Sequence, residues 1–97
     1  MRIRRLPQAI RDADEIFLYI ARDNPAAADR MVDRITDAAE RLRDFPRSGA
    51  PRPEAGKGLR GITIGPYILY YRIVGDVIEV VRVLHGARDI SALPGGF

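Results

Sequence analysis

Near residue 58 the hydrophobic period of this chain changes, and that change restricts the fold more than any single motif. Before it, apolar residues recur at helical spacing. After it, the chain is rich in β-branched and aromatic residues of the kind that fill strands. The clearest helical signal joins Ala27, Ala28, Met31, Val32, Ile35, Ala38, Ala39, Leu42 and Phe45 on one face. Asp29, Arg30, Asp33, Arg34, Asp37, Glu40, Arg41, Arg43 and Asp44 fill the other. Asn24 is a good N-cap and Pro25 a good first helical residue, so a helix is expected over 24–45. An earlier stripe, Ala9, Ile10, Ala13, Ile16, Phe17, Ile20 and Ala21, predicts a helix over 7–22 that opens at Pro7. The link between the two is short, so they are expected to fold back as an antiparallel hairpin.

Residues 59–64, 67–74 and 77–85 read as strands, divided by Gly65-Pro66 and Gly75-Asp76. Hairpin links this tight make neighbouring strands antiparallel. Ile3 between arginines suggests a first strand over 1–6. Residues 46–58, broken by Pro46, Ser48, Gly49, Pro51, Pro53, Gly56 and Gly58, read as a loop, and 87–97 as a frayed tail. The expected fold is α+β, in the order β-α-α-β-β-β. A single domain spans 1–97, with an antiparallel sheet covered on one face by the helical hairpin.

Several chemistries fall away on composition. The 97 residues contain no Cys and one His, His85, so thiolate chemistry and multi-histidine metal sites are excluded. No metal or cofactor is expected. Met1–Pro7 is basic but no apolar stretch of about 7–15 residues follows, as a secretory signal requires. The longest apolar run, Tyr67–Tyr71, is far short of the ~20 residues that span a bilayer. A cytoplasmic protein without membrane contact is expected. Gly56-Lys57-Gly58 is not a phosphate loop, because Pro51 and Gly58 occupy the places where a Gly and a Ser or Thr are needed. Asp12, Asp14 and Glu15 lack the loop glycine and distal Glu of a calcium hand, and are expected beside Arg11 on the wet side of the first helix. Neither Ser48 nor Ser91 sits in a nucleophile elbow.

The net charge of +3 hides an uneven distribution. Residues 6–45 carry six Arg against nine acids, and residues 46–97 carry seven basic residues against four acidic ones. Neighbouring lobes of opposite sign attract each other, and a cationic face also attracts an acidic protein or nucleic acid. The strands bear a basic and aromatic set: Arg60, Tyr70, Tyr71, Arg72, Arg82, His85 and, just beyond, Arg88. A metal-independent ribonuclease can work with such groups, using His85 and Tyr71 for proton transfer and Arg60 or Arg82 to neutralise the phosphorane. A regular pleat opposes this arrangement. It places Arg82 with Ile78, Val80 and Leu84, and His85 on the other face with Val77, Glu79, Val81 and Val83. They converge only if the strand bends or ends between them. The simpler expectation is that His85 holds a turn and Arg82 forms an ion pair, with Glu79 or Asp89 as partner. Leu18 and Tyr19 lie off the main stripe. They suit an apolar anchor of a docking helix, or else Leu18 packs under the first strand and Tyr19 lies on the surface.

Asp14-Glu15-Ile16-Phe17-Leu18-Tyr19-Ile20-Ala21 with Asn24-Pro25-Ala26-Ala27-Ala28, then Phe45-Pro46-Arg47-Ser48-Gly49, Gly58-Leu59-Arg60, Tyr67-Ile68-Leu69-Tyr70-Tyr71-Arg72 and Val81-Arg82-Val83-Leu84-His85-Gly86-Ala87-Arg88-Asp89 follow one another in order. Together, over about Ile3 to Leu93, they resemble the RelE/ParE superfamily of toxins from type II toxin–antitoxin (plasmid stabilisation) modules. The resemblance implies the same β-α-α-β-β-β layer. It is closest to the ParE branch, notably at Asn24-Pro25-Ala26-Ala27 and at His85-Gly86-Ala87-Arg88-Asp89. That branch implies a toxin that inhibits DNA gyrase by binding, without catalysis, and is neutralised by a ParD-like antitoxin. Operator DNA would be met only through the antitoxin. The target-binding candidates are then Arg60, Tyr70, Arg72, Arg82, His85 and Arg88, and the antitoxin-binding candidates Leu18 and Tyr19. The alternatives are a RelE-like ribosome-dependent mRNA endonuclease working through Arg60, Tyr71, Arg82 and His85, or a degenerate, non-toxic member of a module.

Overall fold

A computed structural model describes residues 1–88. The chain runs β1 (Arg2–Arg5), α1 (Pro7–Ala21), α2 (Pro25–Arg41), β2 (Ala50–Pro51), β3 (Arg60–Ile64), β4 (Tyr67–Val74) and β5 (Val77–His85). Pro7 opens α1, where its missing N–H costs no helical bond. Asn24 caps α2 by accepting from the Ala27 N–H at 3.0 Å, with Pro25 at the first helical position. α2 ends at Arg41, four residues before the expected boundary, and the chain leaves it through turns in which the Phe45 N–H donates to the Arg41 carbonyl.

The five strands lie in the order β1-β5-β4-β3-β2. Two features depart from the expected all-antiparallel, four-stranded arrangement. First, β1 pairs with β5 in parallel, Arg2 opposite Val77 and Arg5 opposite Val80. The long helical crossover after β1 permits this, because it lets β1 lie beside a strand reached much later in the chain. Second, residues 50–51, expected within a loop, add β2 antiparallel to β3. The Arg52 N–H extends that pairing by donating to the Leu59 carbonyl at 2.8 Å.

One face of the sheet carries the main core. Leu69, Tyr71, Ile78, Val80 and Val83 pack there with Ala9 and Ile16 of α1 and Ile35 and Ala39 of α2. Ile10, expected in the buried stripe of α1, is instead half exposed. On the opposite face Ile68, Tyr70 and Leu84 form a second, smaller cluster covered by Ala55 from the 52–59 segment. The two clusters show that β5 changes phase. Ile78, Val80 and Val83 share the helix side, although regular alternation would put Val83 opposite Val80. The cause is a bulge: Tyr70 pairs with Arg82 but Tyr71 with Val80, which leaves Val81 as the extra residue. The uninterrupted pleat expected for 77–85 is therefore broken at Val81, ahead of Arg82, while Arg82 to His85 keep regular pairing with Tyr70 to Tyr67.

Candidate functional site

β1 ends at Arg5, so the outer edge of β5 loses its neighbour beyond Val80, whose carbonyl accepts from the Leu6 N–H at 3.0 Å. Asp12 of α1 fills the gap. Its Oδ2 accepts from the Val83 N–H at 3.0 Å and from Arg82 Nε at 2.7 Å, and its Oδ1 accepts from an Arg82 terminal nitrogen at 3.0 Å. Asp12 is only 4% exposed. This corrects two expectations. Asp12 is not on the wet side of α1, and Arg82 forms the expected ion pair with Asp12 instead of Glu79. Glu79 is taken by Arg72 at 2.7 Å and Arg4 at 3.8 Å, and Asp89 lies outside the described residues, as does the tail over 89–97. The sequence does carry a sign of Asp12's position, since it lies three residues after Ala9 and four before Ile16, on the buried stripe itself. The Asp12 hydrogen bond pushes the Arg82 pKa upward against burial, so this guanidinium stays charged.

Tyr71 and Arg60 are engaged at the far end of the sheet. The Tyr71 side chain is fully buried; its hydroxyl donates to the Pro46 carbonyl at 2.8 Å and accepts from the Gly49 N–H at 2.9 Å. Arg60 donates to the carbonyls of Gly49 at 2.7 Å and Arg47 at 3.3 Å. Both side chains hold the 46–49 segment against the sheet. Gly49 has to be glycine for that approach, because a Cβ there would stand 2.6 Å from Tyr71 Cε1.

His85 ends β5. Its Nδ1 accepts from the Ala87 N–H at 3.1 Å, which puts the proton of the neutral ring on Nε2, and its ring meets Tyr67 edge-on at 5.7 Å between centroids. Arg60 pairs with Tyr71, and His85 with Tyr67 four residues away along β4. At ~3.3 Å per residue these two rows are about 13 Å apart. The fold therefore does not gather Arg60, Tyr71 and His85 around one reacting centre.

Of the other residues singled out from the sequence, Tyr70 is buried in the smaller cluster, Arg72 is half-buried on Glu79, and Arg88 is exposed. Burial raises the pKa of Tyr70 and of Tyr67. Leu18 and Tyr19 are 65% and 67% exposed, so Leu18 does not pack under β1. Tyr19 lines a groove of about 550 Å³ between α1 and the end of β5, with Ile16, Tyr67, His85 and Arg88 along its walls; Leu18 lies outside it, beside Glu15, Tyr19 and Arg22. Tyr67 was not among the residues picked out; its alternation with Leu69 and Tyr71 on the helix side is the signal for it. Among the described residues no group of three His, Cys, Asp or Glu gathers to hold a metal, and no helix is long and apolar enough to cross a membrane.

Comparison with known proteins bears on what this surface serves. Residues 3–90 match the family model described as the ParE toxin of the type II toxin–antitoxin system parDE. A Sinorhizobium fredii chain named "Putative toxin Y4kP" is 44% identical over 91% of this chain and 91% of its own. Toxin ParE3 of Caulobacter vibrioides is 31% identical over 87% of this chain and 85% of its own. The solved chromosomal ParDE toxin–antitoxin system of P. aeruginosa superposes with a TM-score of 0.75 at 26% identity, over 88% of this chain and 95% of that one. A family match across nearly all of the chain, on the same layer of helical hairpin and sheet, makes this protein a member of the ParE toxin family of type II toxin–antitoxin systems.

Proposed function

We propose that this toxin acts by binding, with DNA gyrase as its target in the cytoplasm, rather than by cleaving RNA, and that a ParD-like antitoxin neutralises it. One observation carries the reading. Each of the four side chains that a nuclease would use already has an internal partner: Arg60 on loop carbonyls, Tyr71 on Pro46 and Gly49, Arg82 on Asp12 and His85 on Ala87. Proton transfer requires groups within hydrogen-bond reach of the substrate, and charge stabilisation requires a cation aimed at the phosphate. Arg60, Tyr71 and Arg82 are instead spent on the fold, and exposed His85 stands about 13 Å along the sheet from Arg60 and Tyr71. A binding toxin needs only an exposed surface, and His85 and Arg88 supply one at the groove mouth.

Purified protein is expected to block supercoiling by gyrase and to leave ribosome-bound mRNA intact, in the parent chain and in His85→Gln alike. Cleavage of mRNA that disappears in His85→Gln would overturn the reading. On this reading the antitoxin docks on the outer face of α1, and the exposure of Leu18 and Tyr19 supports it by offering an apolar anchor. Leu18→Asp with Tyr19→Asp is expected to weaken antitoxin binding in a calorimetric titration while thermal stability stays within about 0.5 kcal/mol of the parent. Unchanged affinity would remove that surface from the interface.

A further inference from the structure

Phe45, expected on the buried stripe of α2, is instead 64% exposed, whereas Leu42 on the same stripe is wholly buried. Pro46 is the reason. A residue before proline is held out of helical geometry, so the helix cannot run through Phe45 and the chain turns the ring outward. The turn that carries the ring is fixed along its whole backbone. The Phe45 N–H donates to the Arg41 carbonyl at 3.0 Å, and the Phe45 carbonyl accepts from the Ser48 N–H at 3.1 Å. The carbonyls of Pro46, Arg47 and Gly49 and the Gly49 N–H are held by Tyr71 and Arg60. Every residue from Phe45 to Gly49 therefore has a backbone hydrogen bond, yet Phe45, Arg47 and Ser48 are exposed.

Single exposed apolar residues are ordinary on protein surfaces. Two things set Phe45 apart from another of them, Val74. A turn already held in one shape gives up little conformational entropy when a partner covers it. And Arg47, two residues on, has no carboxylate within 4.0 Å among the described residues, unlike Arg43, which Glu40 holds at 2.7 Å. Aromatic rings and guanidinium groups are the side chains that dominate binding at protein interfaces. We propose that Phe45 and Arg47 are the anchor by which this toxin holds gyrase. The ring enters an apolar pocket on the target protein, and the guanidinium meets a carboxylate at the rim of that pocket. The proposal rests on the gyrase reading above. Exposed Asp44 adjoins the ring, and a carboxylate there opposes the phosphates of a DNA backbone. The partner surface is therefore protein and not the duplex that gyrase grips.

The test measures binding of the full chain to a gyrase–DNA complex by surface plasmon resonance, and to the same duplex alone. The variants are Phe45→Ala, Arg47→Ala and, as a control for exposed apolar surface, Val74→Ala. The parent is expected to bind the gyrase complex much more tightly than the duplex. Phe45→Ala is expected to lose about thirtyfold in affinity for the complex and Arg47→Ala about tenfold, with Val74→Ala unchanged. Thermal unfolding should hardly move in any variant, because all three side chains are exposed. A parent that fails to bind the gyrase complex would remove the gyrase reading and this proposal together. A parent that binds, while Phe45→Ala binds as tightly as Val74→Ala, would overturn the proposal alone. So would a loss confined to the duplex, which would make the turn a DNA contact. Should Phe45→Ala misfold, Arg47→Ala decides the matter, and an affinity equal to the parent's would overturn the proposal.

Discussion

Asp12 is the residue whose environment departs most from its type. A carboxylate this buried persists because its oxygens receive the Arg82 guanidinium and the Val83 N–H together. Removing one partner strands the other, at a cost of about 3–5 kcal/mol, whereas replacing both by apolar residues of similar size is often neutral. Asp12→Ala and Arg82→Met are each expected to lower stability by that amount in urea denaturation. Asp12→Leu combined with Arg82→Met is expected to recover part of it, the Val83 N–H being left without its acceptor at a cost of about 1–3 kcal/mol; additive losses would mean that the pair is not a coupled unit. The tyrosines give a second reading at this scale. Burial raises the Tyr67 and Tyr70 pKa values above the ordinary phenol value of about 10. Their neutral forms are favoured in the folded chain, so the associated stability is complete below that pH and is lost as pH rises through the raised values. An ultraviolet absorbance titration should show two of the tyrosines ionising late, together with alkaline unfolding. Two late phenols that titrate without any loss of fold would contradict the linkage.

The order of strand, two helices and three-strand meander was legible, because each element announces itself by a local period or by a proline, asparagine or glycine at its boundary. Less legible was whatever depends on distant partners. The parallel pairing of β1 with β5 and the short strand at 50–51 are set by sheet geometry, and their residues carry no periodic signal of their own. The bulge at Val81 is silent for the same reason, since a run of β-branched residues reads alike in either phase. The candidate site suffered most: Arg60, Tyr71 and Arg82 are conspicuous as residue types, but their partners lie 11 to 70 positions away. The 46–49 segment illustrates how such contacts hold an element. Tyr71→Phe removes both hydroxyl bonds and leaves the Gly49 N–H unpaired, for an expected loss of about 1–3 kcal/mol. Limited proteolysis should then nick the 46–58 region faster than in the parent; an unchanged rate would place the anchor in Arg60 alone.

At the scale of the molecule, two helices shield one face of the sheet while the 52–59 segment covers part of the other. What stays open lies at the margins: the outer face of α1 beside the groove, and the β1 edge. These margins differ in character. The first is apolar with polar surroundings and suits a packed contact. The second is cationic and suits an association that speeds up in dilute salt. The first strand of the sheet is completed only by the last, and the Asp12–Arg82 clasp likewise joins positions near the two ends of the described chain. A nascent polypeptide still attached to the ribosome before residue 77 has neither, and contacts so remote in sequence form late. The folded toxin thus comes into being only after β5 has been made, and a product terminated ahead of that strand has no stable sheet with which to do harm.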